Sequence, residues 1–285
     1  MALLLLAPAC GGGSAAEGDE RIEVVASFYP LAFVAGEVGG NLVDVDNLTP
    51  PGAEPHDLEL TPGQVRALAE ADLVVYLGDG FQHAVEDSIA DLKGEVVDGL
   101  AGQDDLLEPS EQEETPFDPH IWLDPQRTAA IARLVGDRLA EIDPGNATTY
   151  RSNVERLGSR LDDLDTEYRD GLGGCERNSF VTSHEAFGYL ASAYGLEQIG
   201  ISGIDPEAEP SPQRLAEVAD FVAENGVTTI FFEVLVSPDI AETLAEEAGI
   251  RTARLDPIEG PPEEGDYFTA MKANLEALRE GLGCK

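Results

Sequence analysis

The sequence predicts an α/β protein of two lobes, each with a mainly parallel four-stranded-type sheet flanked by helices, joined by one long helix. Three observations predict it. Short β-rich runs alternate with helical runs up to about Leu100, a continuous apolar stripe then covers Tyr150 to Leu172, and the alternation restarts at Ser179. Strands that alternate with helices argue for βαβ units and a parallel sheet.

In the first half, Ile22–Phe28 (IEVVASF) reads as a buried strand and Tyr29-Pro30 opens a helix through Val38. Leu42–Asn47 is a second strand. Thr61-Pro62, an N-cap followed by proline, starts a helix carrying the Val65–Ala71 pattern. Asp72–Leu77 (DLVVYL) is a third strand, followed by a helix near Ala84–Leu92. Asp104–Phe117 is acidic, proline-punctuated and aperiodic, so it reads as an exposed loop.

Asp124-Pro125 repeats the cap-then-proline start, and Ile131, Leu134, Val135, Leu139 and Ile142 fit one helix face. After Asp143-Pro144-Gly145, Tyr150, Val154, Leu157, Leu161, Leu164, Tyr168 and Leu172 recur at steps of three and four. A helix of about 27 residues rises about 40 Å, enough to cross a two-lobed molecule. Beyond it, strands at Ser179–Ser183, Glu197–Ile201, Val227–Glu233 and Arg251–Leu255 alternate with helices at Glu185–Tyr194, Ser211–Glu224 and Ser237–Ala248. Tyr267, Phe268, Met271, Leu275, Leu278 and Leu282 mark a closing helix. The division expected is 1–20 a signal-like segment and linker, 21–143 one lobe, 144–172 the connecting helix, and 173–285 the other lobe.

Against 56 Asp+Glu stand only 17 Lys+Arg, a formal net charge of −39 over 285 residues. Phosphate neutralisation needs clustered Lys and Arg, so a nucleic-acid surface is excluded as the main business. A 42% hydrophobic content excludes a wholly disordered chain. A field this acidic draws cations in, although adaptation to a salty exterior accounts for it equally well.

The chain opens MALLLLAPAC, then Gly11-Gly12-Gly13-Ser14. This order resembles the end of a bacterial lipoprotein signal, in which Cys10 would be acylated and become the mature N-terminus. The apolar run is too short to span a bilayer and no basic n-region precedes it, so the true start is expected upstream. The reading is export to the cell surface or periplasm with a lipid anchor. In that setting the remaining pair, Cys175 and Cys284, is a candidate disulfide. A loop of that length stabilises by about 4–5 kcal/mol in the chain-entropy model.

Four histidines are present, and His56, His120 and His184 each fall where a strand or loop hands over to the next element. Asp256 comes directly off the strand ending at Leu255. In open α/β sheets that carboxyl-end crevice is where ligands bind. Three imidazoles and one carboxylate from separate loops could make a closed four-coordinate zinc site. The intervals of 64, 64 and 72 residues match no local metal motif, so spacing alone leaves open whether they converge, and a lone histidine at a strand end is commonly just a satisfied polar residue.

The strings around these residues carry a resemblance. Pro55-His56-Asp57-Leu58-Glu59-Leu60-Thr61-Pro62, Asp118-Pro119-His120-Ile121-Trp122-Leu123-Asp124-Pro125 and Ser183-His184-Glu185-Ala186-Phe187-Gly188-Tyr189-Leu190 are similar, in order, to signatures of the zinc/manganese solute-binding lipoproteins of ABC transporters, the cluster A-I metal-binding proteins. Ile230-Phe231-Phe232-Glu233 and Leu255-Asp256-Pro257 continue the match, which spans about residues 22–283. The resemblance implies two lobes on one rigid helix, with the metal held between them by His56, His120, His184 and Asp256. Glu233 and Asp118 are candidates to orient the imidazoles, with ordinary capping or strand-end solvation as the alternative.

Manganese-selective members tend to carry a carboxylate at the third position. His184 stands there, so Zn(II) is the expected cargo, with manganese or dual binding the alternative. The implied partner is an ABC-type membrane permease, with the binding protein itself a monomer. Many zinc members carry a histidine-rich loop before the Asp-Pro-His string; Asp104–Thr115 has no histidine, which leaves it at most a weak attraction for cations. His83 is expected at a helix start on the surface. A zinc hydrolase is the enzyme rival, but no second histidine follows His184-Glu185 at metalloprotease spacing, and there is no Gly-x-Ser-x-Gly elbow. A surface adhesin is a third class, for which the sequence encodes no recognisable surface.

Overall fold

The computed structural model describes residues 21–90, 92, 94–108 and 116–285. The signal-like segment with Cys10, and residues 109–115 of the acidic loop, lie outside the described residues. What is described of that loop forms neither helix nor strand.

The first lobe builds a parallel sheet from β1 (Ile22–Ala26), β2 (Val43–Asn47), β3 (Leu73–Tyr76) and β4 (Glu95–Asp98), in the order β2-β1-β3-β4. Helices α1 (Tyr29–Gly39), α2 (Pro62–Glu70) and α3 (His83–Ile89) make the crossovers, and α4 (Pro125–Ile142) follows the acidic loop. After α5 (Ala147–Leu172), the second sheet repeats the scheme with β5 (Ser179–Thr182), β6 (Glu197–Gly200), β7 (Thr229–Phe232) and β8 (Arg251–Arg254), ordered β6-β5-β7-β8 and again all parallel. Its helices are α6 (Gly188–Tyr194), α7 (Pro212–Asn225), α8 (Asp239–Ala248) and the closing α9 (Tyr267–Leu282).

The element starts follow local chemistry. Thr61 and Gln64 close a capping box on α2, while Asp124, Ser211 and Asp266 accept backbone N–H bonds at the starts of α4, α7 and α9. Two elements depart from the sequence expectation. Strand β4 carries only Val96-Val97 between acidic residues and sits at a sheet edge, so it lacks the buried apolar run that marks the central strands. Helix α6 starts at Gly188 rather than Glu185, because Thr182 Oγ1 donates to the His184 carbonyl at 2.6 Å and the Glu185 N–H to the Gly203 carbonyl at 2.9 Å. Residues 183–187 are thereby held as a turn.

One apolar core runs through both lobes. Helix α5 is fixed to α1 by Asn153 Nδ2 donating to the Val38 carbonyl (2.8 Å) and to α9 by the Tyr168 hydroxyl donating to the Met271 carbonyl (2.6 Å). Trp122, fully buried, packs edge-on to Phe28, and its Nε1–H reaches the Pro257 carbonyl of the second lobe at 2.7 Å. Tyr267 stacks on Phe33 and donates its hydroxyl to the Trp122 carbonyl at 2.6 Å. Cys175, just beyond α5, and Cys284, just beyond α9, form a disulfide.

Helices α4 and α5 approach closely at Gly136, where an added Cβ would overlap the Val154 side chain. Gly136→Ala is expected to destabilise by about 1–3 kcal/mol in urea unfolding through this overpacking. Adding Val154→Ala should recover part of that loss, giving a favourable coupling in the double-mutant cycle.

Candidate metal centre

Every functional side chain at the interlobe cleft leaves the carboxyl end of a parallel strand. His56 follows β2, His120 follows β4 across the acidic loop, His184 follows β5 directly, and Glu259 follows β8. These four loops meet in the cleft. The nearest nitrogens or oxygens of His56, His120, His184 and Glu259 all lie within 4.8 Å of one another. No helix among the described residues is long and apolar enough to cross a membrane.

The contacts have the dimensions of a coordination shell. Glu259 Oε1 stands 3.5 Å from His56 Nε2 and 3.4 Å from both His120 Nε2 and His184 Nε2. His120 Nε2 and His184 Nε2 are 3.2 Å apart. Donors around a tetrahedral zinc at about 2.0–2.1 Å sit about 3.3–3.4 Å from each other, so four of the six edges already match. His56 Nε2 and Glu259 Oε1 are buried and lack any well-formed hydrogen bond, which suits atoms reserved for a ligand. The four side chains are almost completely buried, with His56, at 10% exposure, the one nearest solvent.

Two carboxylates aim the rings. Asp118 Oδ1 accepts from the His120 backbone N–H at 2.9 Å and lies 2.7 Å from its Nδ1. Glu233 accepts from the His184 backbone N–H at 3.0 Å and makes a very short contact with its Nδ1. Pairing at Nδ1 places the ring proton there and turns the Nε2 lone pair inward. His56 instead rests edge-on against Phe81, 4.8 Å between ring centres.

Asp256, expected as the fourth ligand, is not part of this cluster. Its carboxylate accepts the Ile258 N–H at 2.8 Å through Oδ1 and pairs with Arg254 at 3.1 Å through Oδ2. One oxygen is thus engaged by the turn and the other by Arg254, and the carboxylate that reaches the imidazoles is Glu259, three residues on. Sequence reasoning took the first acid after β8; the available signal for Glu259 was its placement before Gly260-Pro261-Pro262, in a segment with no helical or strand period. Ile258 adopts φ of +58°, a conformation that costs a β-branched residue about 1–3 kcal/mol. His83 opens α3 and is exposed, away from the cluster.

Electrostatics tie the four groups together. Burial alone drives the His184 imidazolium down, but the Glu233 carboxylate and then Glu259 outweigh it and hold its pKa well above the ordinary value. His120 follows the same balance with Asp118 and is raised. His56, with only Glu259 to offset burial, is lowered. Burial would raise Glu259, yet its three imidazole neighbours keep it well below the carboxylate range. Glu54 accepts from the His56 N–H at 3.5 Å, and burial followed by the Glu259 charge pushes it up to about 8. Raised histidine values contribute stability below about pH 6.5 that fades as pH climbs through the folded-state pKa.

A two-lobed α/β fold thus brings three imidazoles and a carboxylate together in the cleft, a donor set that could hold one metal ion. The chain belongs to the ZnuA family, described as the zinc-uptake complex component A, periplasmic, whose sequence profile matches residues 24–281. It is 36% identical to the high-affinity zinc uptake system protein ZnuA of Bacillus subtilis, over 99% of this chain and 95% of that protein. It is also 36% identical to the zinc-binding protein AdcA of Streptococcus pyogenes over 93% of this chain, and spans about half (56%) of AdcA's length.

Solved structures agree with the fold. The laminin-binding protein Lbp of Streptococcus pyogenes superposes with a TM-score of 0.82 at 34% identity, covering 92% of this chain and 99% of that one. Zn(II)-bound AdcA of Streptococcus pneumoniae gives 0.80 at 34% identity, covering 92% of this chain and 58% of that one.

In nitrogen NMR of the metal-free protein, His120 and His184 are expected to titrate above about pH 6.5 and His56 below it. Glu233→Gln should bring the His184 midpoint down while leaving His120 near its original value; an unmoved His184 midpoint would contradict the assigned pairing.

Proposed function

We propose that this protein is the extracytoplasmic binding component of a zinc ABC uptake system, capturing Zn(II) between its lobes and passing it to a membrane permease. The observation that carries the reading is the cluster of imidazole nitrogens and one carboxylate oxygen contributed by both lobes, four of whose mutual distances are 3.2–3.5 Å. Three imidazoles favour zinc over manganese, which prefers oxygen-rich, six-coordinate shells. Four protein donors also close the shell, leaving none of the open positions that catalytic zinc keeps for water, so the reading is a binder and no enzyme. The names of the ZnuA and AdcA relatives support the same cargo. The adhesin role named for a laminin-binding neighbour of Streptococcus agalactiae belongs to that protein.

The remaining assignments fit this reading. Export through a lipid on Cys10, a disulfide suited to an oxidising compartment and a monomeric binding protein are its cellular setting. A net charge of −39 concentrates cations near the cleft, an effect that salt screens. Lobes at 21–143 and 173–285 with the helix of 144–172 between them are the units that zinc ties together.

Chelator-stripped protein should bind one zinc tightly and manganese far more weakly in a competition titration; preference for manganese would overturn the metal assigned. Zinc at a thousand times Kd should stabilise the fold by about 4 kcal/mol. His120→Ala and Glu259→Ala should each remove most of that gain, and an undiminished gain in both would refute the site. Zinc affinity should fall as pH drops, because protons on His120 and His184 compete with the metal. Since both pKa values are raised, the loss should begin above the pH expected for free imidazole.

A further inference from the structure

Glu259 has an unusual problem of orientation. Its Oε1 is buried with no well-formed hydrogen bond, so no donor aims the carboxylate as Asp118 and Glu233 aim the histidine rings. Its position must come from the backbone that carries it. That backbone is fastened residue by residue. The Leu255 N–H donates to the Phe232 carbonyl at 2.9 Å, continuing the β7 pairing. Asn274 of α9, 3% exposed, accepts the Asp256 N–H at 2.8 Å and donates to the Asp256 carbonyl at 2.6 Å. The Pro257 carbonyl takes the Trp122 indole N–H from the other lobe at 2.7 Å. Ile258 then turns into the left-handed region at φ +58°, and its N–H is the one bound by Asp256 Oδ1 at 2.8 Å.

We propose that Asp256 is a positioning residue for the metal site: its carboxylate holds the left-handed turn at Ile258, and that turn sets Glu259 against the three imidazoles before metal arrives. The inference rests on the zinc-binding reading of the cluster. A β-branched residue leaves the left-handed region unless its surroundings hold it there. Without the Asp256 acceptor the Ile258 N–H is freed, the turn relaxes, and Glu259 must find its place at the moment of binding. The ordering cost then falls on the affinity, as it does when other groups that orient metal ligands are lost. The Arg254 pair on Oδ2 is not part of the device, since the guanidinium is 46% exposed and screened.

Three substitutions in the full chain separate this role from others, with zinc Kd read by chelator competition. Asp256→Ala is expected to weaken zinc 10–100-fold with one site retained. Asp256→Asn keeps an oxygen for Ile258 and loses the charge, and should bind within about threefold of wild type, well short of the loss expected for Ala. Asp256→Glu keeps the charge but displaces the acceptor, and should resemble Ala. The reverse order, Glu binding well and Asn poorly, would show that the Arg254 pair matters and overturn the proposal.

A cycle with Glu259→Ala gives the second readout. In that background Asp256→Ala should have no further effect on zinc Kd, because nothing remains to be positioned. An equal loss in both backgrounds would mean a general structural role and would also overturn it. If Glu259→Ala alone leaves zinc affinity unchanged, the failure lies with the metal-site reading itself.

Discussion

The structure depends on burying three imidazoles and a carboxylate at one point between two lobes. Such groups are costly to desolvate unless each is partnered. Asp118 and Glu233 take the outer nitrogens of His120 and His184, and Glu259 faces the inner nitrogens. Protons and mutual attraction balance the charge within the cluster, and a divalent ion would do so in place of the protons. The same arrangement explains why His120 and His184 are raised while His56, with no carboxylate on its outer nitrogen, is lowered, and why Glu259 is lowered.

That point can exist only if both lobes present loops to it at a fixed distance, and the interlobe contacts supply the fixed distance. Trp122 lies two residues from His120, yet its indole N–H bonds the Pro257 carbonyl two residues from Glu259. Donors from opposite lobes are thus linked by one side chain. Tyr267 bonds the Trp122 carbonyl and packs on Phe33, so α9 and α1 join the same block. A cleft braced in this way favours local loop adjustments over wide hinge opening, because a hinge would have to break a continuous core.

Much of this was legible in the sequence, for physical reasons that differ by element. Central strands announce themselves as apolar runs because both faces are covered, and α5 by a stripe that packs against α1, α4, α6 and α9. Strand β4 was invisible because an edge strand need not be apolar. Scarcity and the strand-to-loop handovers singled out three histidines without showing that they meet; the strings around them, through the family resemblance, made that an expectation. Glu259 was not singled out, since one acid among 56 carries no signal until burial is known. Asp256 was the acid the sequence offered, and the fold gives its carboxylate to the backbone instead.

The two sheets share one strand order, and this constrains where ligands can arise. His120 and Glu259 both follow the fourth strand of their lobe, so the two edge-strand loops meet as counterparts across the cleft. The other two ligands break the correspondence. His56 follows the second strand of its lobe, whereas His184 follows the first of the other. At the place matching His184 the first lobe has Phe28, fully buried in the core, since Ala26 and Thr182 hold equivalent register positions beside the third strand of each sheet. A strictly symmetric site would present its donors in pairs across the cleft; the offset instead gives three nitrogens and one oxygen from four differently anchored loops. It also leaves His56, at 10% exposure, as the donor nearest solvent, with the other three buried behind it.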